Sequence, residues 1–243
     1  MLQTPDWLEQ LPETLTGLMG SLGVTLTTVW DALPYLLVGG LVTMATVAGA
    51  MGLGLIMGVP MSLAQTYGPR WLRFLASVYV WFFRGTPILV LLFLVHFGLF
   101  GGLLGIDLPA IVAAALVLGM TSTAYQSQIF RGAIQSLPQG QFKAARSLGM
   151  STRQALQSII LPQALRISIP GWSNEYSIIL KDSALAFALG APEIMARTHF
   201  VATRTYTYLP LYITAGALYL IITIIGLKAL RSLERKVHIP GYM

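Results

Sequence analysis

The sequence predicts an all-α integral membrane protein with about five transmembrane helices, its N-terminus outside and its C-terminus inside. Three observations carry this: an apolar composition, a succession of apolar runs of spanning length, and a lopsided placement of Lys and Arg. Of 243 residues, 55% are hydrophobic and 10% charged, with a mean hydropathy of +0.71, whereas ordinary soluble domains carry about 25% charged residues. A span takes roughly 20 mostly apolar residues, which leaves little chain for a soluble catalytic domain. The spans must be helical because backbone in lipid has to satisfy its hydrogen bonds within the segment.

The apolar runs lie at approximately 35–64, 76–100, 109–132, 163–188 and 208–230. The first, third and fifth are uninterrupted. Arg70-Trp71-Leu72-Arg73 precedes the second and Arg84-Gly85-Thr86-Pro87 interrupts it, so 71–86 reads either as an interfacial helix or as a kinked entry into the membrane. The fourth contains Pro170, Gly171, Asn174, Glu175, Lys181 and Asp182, a set that a lipid-facing helix does not tolerate. It is expected to be buried among other helices. The chain then divides into an extracytoplasmic segment 1–33, a transmembrane domain 34–231 and a cytoplasmic tail 232–243. Leu8, Leu11, Leu15, Leu18 and Leu22 give the first segment the spacing of an amphipathic helix on the outer surface.

Orientation follows from the basic residues, which are retained on the cytoplasmic side. With the N-terminus outside, the inner segments hold Arg70, Arg73, Lys143, Arg146, Arg153, Lys228, Arg231, Arg235 and Lys236, with Arg166 at a span edge; the outer segments hold Arg197 and Arg204. The net charge of +6 is therefore a record of topology, and no nucleic-acid partner is expected. Residues 1–69 contain no Lys or Arg but do contain Asp6, Glu9, Glu13 and Asp31. A cleavable signal needs a positive start, so none is expected. The absence of cysteine excludes disulfides, a thiolate nucleophile and Cys-based metal sites. His96, His199 and His238 lack metal-ligand spacing and read as isolated polar residues.

Between the third and fourth runs, at about 135–162, lies a segment too polar for the bilayer. Gly149 suits the left-handed position just past a helix C-terminus, and Ser151 with Gln154 fits a capping box for a second helix. Phe142, Ala145 and Gly149 recur at about one-turn intervals, a narrow face expected to fit a groove in another protein. The spacing Ala144-Ala145, Gly149, Ile159-x-Leu161-Pro162 resembles the EAA coupling loop of ABC importer permeases. Lys143 stands where that family usually has glutamate, so the ion pair of that glutamate is not expected here.

The resemblance runs over about 35–240 and points to the polar amino acid (histidine/glutamine-type) subfamily of type I ABC importer permeases. Arg84-Gly85-Thr86-Pro87, Ile129-Phe130-Arg131-Gly132-Ala133, Leu161-Pro162-Gln163-Ala164-Leu165-Arg166 and Leu180-Lys181-Asp182-Ser183-Ala184-Leu185-Ala186 carry it, with Gln128 replacing a usual glutamate. It implies a permease in the bacterial inner membrane that pairs with an identical or homologous second permease. It also implies two cytoplasmic ATPases and an extracytoplasmic solute-binding protein as partners. ATP and Mg belong to the ATPase, and no cofactor is expected on this chain. Phe142, Lys143, Ala144, Ala145, Leu148 and Gly149 are then the expected ATPase-coupling residues.

The polar residues inside the spans are the expected substrate pathway. On the third, Thr121, Tyr125 and Gln128 share a stripe with Ser122 on its flank; they either line a path or join helices. On the fourth, Asn174, Ser177 and Lys181 share one stripe, and Glu175 and Asp182 another about 100° away. Glu175 and Lys181 do not face each other, so each needs a partner from elsewhere. Glu175 is the leading substrate contact, because an ionisable group near mid-membrane is functional by default; the competing reading is a structural pair. Asn174-Glu175 resembles the Asn-Glu pair of permeases for basic amino acids. Arg84 is assigned mainly to structure, as an interfacial side chain that snorkels. A secondary amino acid transporter, which needs no ATPase, is the alternative; the coupling-type loop and the lack of internal repeats speak against it. No paired carboxylates, Ser-His arrangement or metal cluster in the loops suggests an enzyme.

Overall fold

The structure, a computed structural model, describes residues 6–237, with side chains described from Thr25 onward. Helix α1 (Asp6–Tyr67) is continuous, so the expected outer helix and the first span are one element. Pro34 falls inside it without a break, as membrane helices tolerate. The side chains of the N-terminal leucines, Val237's successors and His238 lie outside the described residues.

Helix α2 (Arg70–Gly85) starts on Pro69, and α3 (Ile88–Phe93) starts on Pro87 and continues as a wide π-type helix, Leu94–Leu104. The two directions differ by 107°. Proline disfavours helical backbone in the residue before it, and Thr86 is accordingly extended (φ −96°, ψ 132°). The kink expected in the second span is thus a full break.

Helix α4 (Ala110–Ser136) is the axis of the bundle. At one end its Ala113, Ala114 and Val117 pack with Leu91 and Leu92 of α3. In the middle, Leu118 meets Val47 and Met51 of α1 and Ile179 and Leu180 of α8. At the other end, Ala133 and Ile134 pack with Ile160 and Ala164. Gly54 and Gly58 of α1 let that helix close on α4. A Cβ on Gly54 would stand 2.9 Å from Gln126 Cδ and 3.0 Å from Ser122 Oγ, and one on Gly58 would stand 3.2 Å from Gln126 Cβ. Small residues four apart are a recurrent means of close approach between membrane helices.

Two short helices follow, α5 (Gln139–Ser147) and α6 (Thr152–Ala155), the latter running on as a π-type turn to Ile160. The expected fourth span at 163–188 is stepped: α7 (Leu161–Ile167), α8 (Ile169–Asp182), then a 3-10 stretch Ser183–Leu189. Pro170 near the start of α8 forces the step, since it has no N–H for the preceding turn. Helix α9 (Ile194–Thr205) is capped by the Glu193 carboxylate, which accepts from the Met195 and Ala196 amides and from the Tyr219 hydroxyl. Helix α10 (Tyr208–Val237) closes the chain. Among the described residues, three helices are long and apolar enough to span a membrane, Thr25–Tyr67, Ala110–Ser136 and Tyr208–Val237; the bent pair Arg70–Gly85 and Ile88–Leu104 makes four if counted as one. Position 163–188 supplies no single helix of that length.

Candidate functional site: a polar seam across three helices

Glu175 of α8 is 2% exposed, and its Oε1 accepts from Ser122 Oγ of α4 at 2.9 Å. This bond sets the two expected polar stripes level with each other, and it answers what partner Glu175 finds: a hydroxyl on another helix. Behind it stands Gln126, fully buried. Its Nε2 donates to Ser122 Oγ at 2.9 Å and to the Met51 carbonyl of α1 at 3.2 Å. Its Oε1 accepts from Trp172 Nε1 at 2.8 Å. One α4 amide therefore ties α1, α4 and α8 together. Sequence reading passed over Gln126 because it lies off the Thr121–Tyr125–Gln128 stripe; the Gly54-x-x-x-Gly58 spacing on α1 was the available signal that a buried neighbour sat there.

The remaining expected pathway residues divide. Thr121 is 1% exposed, and its hydroxyl has no hydrogen-bond partner among the described residues. Gln128 donates to Gln65 Oε1 of α1 at 2.7 Å, so it joins helices. Tyr125 is half-buried and carries the Arg84 guanidinium 4.9 Å from its ring centroid, a separation at which a cation is attracted to a ring face. Arg84 is thus placed beside the polar seam. Asn174 and Ser177 line a cavity of about 310 Å³ with Pro170, Ser173, Arg231 and Glu234. Lys181 is exposed and Asp182 half-buried.

In the loop, the local chemistry appears as expected: Gly149 is left-handed (φ +82°), and Ser151 and Gln154 form both capping-box bonds, at 3.3 and 2.8 Å. The expected face divides: Gly149 is exposed, while Phe142 and Ala145 turn inward. Ala145 is 1% exposed and Phe142 stacks on Tyr67 with centroids 5.6 Å apart, so the Phe142–Ala145 side packs on this chain's own helices. The cause is the neighbouring apolar cluster of Ile134, Leu137 and Ile160, which offers a large ring a dry site within the chain. Lys143, Ala144 and Ser147 are exposed, and Leu148 is 82% exposed. A cavity of about 480 Å³ opens beside them, lined by Tyr67, Gln135, Pro138 and Lys143 among others.

Residues 50–239 match the family described as the binding-protein-dependent transport system inner membrane component. The chain belongs to that family. It is a multi-pass inner-membrane permease subunit of the ABC importer type. A probable amino-acid ABC transporter permease of Bacillus subtilis, YckA, is 35% identical over 206 residues, covering 85% of this chain and 90% of that one. An octopine transport permease of Rhizobium meliloti, OccQ, is 35% identical, covering 80% and 86%. An arginine transport permease of Bacillus subtilis, ArtQ, is 33% identical, covering 84% and 93%. Among solved structures, an amino acid ABC transporter crystallised with histidines aligns with a TM-score of 0.78 at 32% identity, over 86% of this chain and 97% of that one. The MetNI methionine transporter, inward facing, shares the fold at a TM-score of 0.74 and 21% identity, over 84% and 97%.

Proposed function

We propose that this permease imports polar amino acids, with preference for those bearing a cationic side chain, and that its motion is driven by ATP hydrolysed on two separate ATPase subunits. A second permease, identical or homologous, and an extracytoplasmic solute-binding protein complete the assembly; ATP and Mg reside on the ATPases. The N-terminus faces outward, and α5 and α6 face the ATPases. The relatives' amino-acid substrates support the substrate class, and the observation that carries the preference is Glu175. Its near partner is the Ser122 hydroxyl, which leaves the charge of the carboxylate uncompensated by direct contact. A buried carboxylate in that condition attracts a cation strongly, because Coulombic energy rises as water is excluded. The cavity at Asn174 and Ser177 lies on the adjacent face of the same helix and offers an approach.

Uptake of labelled arginine and glutamine by the reconstituted complex tests this. Glu175→Gln is expected to reduce arginine uptake about tenfold or more, a charge-assisted hydrogen bond being worth roughly 1.5–3 kcal/mol, and to leave glutamine uptake nearly unchanged. Equal uptake of both at wild-type levels would make Glu175 a purely structural tie.

A further inference from the structure

The hydrogen bonds of the polar seam have a fixed direction. An indole N–H only donates, so Trp172 requires the oxygen of the Gln126 amide on its side (2.8 Å). The nitrogen of that amide must then face the Met51 carbonyl and Ser122 Oγ, and a carbonyl only accepts, so Met51 enforces the same orientation from the other side. Ser122 Oγ, already accepting from Gln126, has one proton to give. It lies 2.9 Å from Glu175 Oε1, against 3.7 Å from Met51 Sδ, a weaker acceptor. One donor of each of Trp172, Gln126 and Ser122 therefore runs in succession to Glu175, while the second N–H of Gln126 goes to the Met51 carbonyl. Were the amide reversed, its oxygen would face Ser122, and the hydroxyl would turn to it and away from the carboxylate.

We infer that Gln126 and Trp172 are positioning residues for substrate selection: they orient the Ser122 hydroxyl so that it donates to Glu175 and holds the carboxyl group in place as an acceptor for a cationic side chain. This rests on the reading of Glu175 given under Proposed function. The chain supplies a neutral donor, which stabilises a carboxylate in place without cancelling its charge. It holds the carboxyl group at Oε1. Trp172 reaches this chain from the half-buried edge of α8, where it also lines an apolar cavity of about 640 Å³ between α1, α8 and α10. Its replacement by phenylalanine keeps an aromatic ring in that lining and removes the N–H together with part of the ring volume.

The experiment measures initial uptake of labelled arginine and labelled glutamine by proteoliposomes holding the complete transporter, at matched protein, for wild type, Glu175→Gln, Trp172→Phe and Gln126→Met. Both relay variants are expected to lower arginine kcat/KM about tenfold, mainly through KM, with glutamine within about twofold of wild type, since a hydrogen bond to a charged group is being weakened. Trp172→Phe alone carries the test if Gln126→Met fails to assemble. An unchanged arginine-to-glutamine ratio in Trp172→Phe, or equal loss of both substrates, overturns the relay when Glu175→Gln still separates them. If Glu175→Gln does not separate them, or the wild type moves neither, the substrate reading falls and the relay with it.

Discussion

Substituting Gly54 by alanine probes the seam at its tightest point. The new methyl would meet the Gln126 side-chain amide, 2.9 Å from Cδ, and Ser122 Oγ at 3.0 Å, where carbon contacts settle at about 3.5–4.0 Å. Either α1 and α4 part by about 0.5–1 Å, or the amide leaves its three partners. Overpacking costs roughly 1–3 kcal/mol, and disruption of the amide's hydrogen bonds about 1 kcal/mol more. The expected loss is about 2–4 kcal/mol, read as an unfolding free energy in detergent micelles. Gly52→Ala is the control, since a Cβ there meets nothing within 4 Å, and it should lie within about 0.5 kcal/mol of wild type. Adding Gln126→Ala to Gly54→Ala should recover part of the loss, the two sites being in contact and therefore non-additive. A Gly54→Ala protein as stable as Gly52→Ala, with no such coupling, would refute the close-packed seam.

Four further outcomes are expected. Leu148→Asp, at the exposed tip of α5, should weaken assembly with the proposed ATPase and lower ATP-driven uptake at least tenfold, with the permease alone melting as wild type; Ala145→Arg should instead destabilise the permease alone by several kcal/mol, because that site is buried. Glu193→Ala removes the cap of α9 together with the acceptor of Tyr219, and should cost about 2–3 kcal/mol in the same unfolding measurement. Gly149→Ala forces a side chain into a left-handed backbone (φ +82°) and should cost about 1 kcal/mol, seen as a lower melting temperature.

The apolar runs and the loop chemistry were legible because they depend on local properties: hydropathy over a turn or two, a capping pair, a glycine that must be left-handed. The break at Thr86-Pro87 was half legible; proline announced a disturbance, but its angle depends on what α3 packs against, and Leu91 and Leu92 are held by α4 residues far along the chain. The inward facing of Phe142 and Ala145 was illegible for the same reason. Spacing put Phe142 and Ala145 on one side, but whether that side met a partner or its own chain depended on Tyr67 and Ile160. Gln126 escaped notice because a lone glutamine in an apolar helix has no periodic signature, and its role exists only where Met51, Ser122 and Trp172 converge.

The Gly54–Gln126 contact also has a mechanical side. Two helices whose backbones approach over small residues, and which are pinned by an amide reaching across, have no room to slide or rotate against each other, since interiors packed this closely repack in discrete steps. Residues 54 to 58 of α1 and 122 to 127 of α4 therefore travel as one strut. The chain is interrupted on either side of that strut, at Gly85-Thr86-Pro87 and at Ser168, so the helices beyond those breaks can change direction without disturbing it.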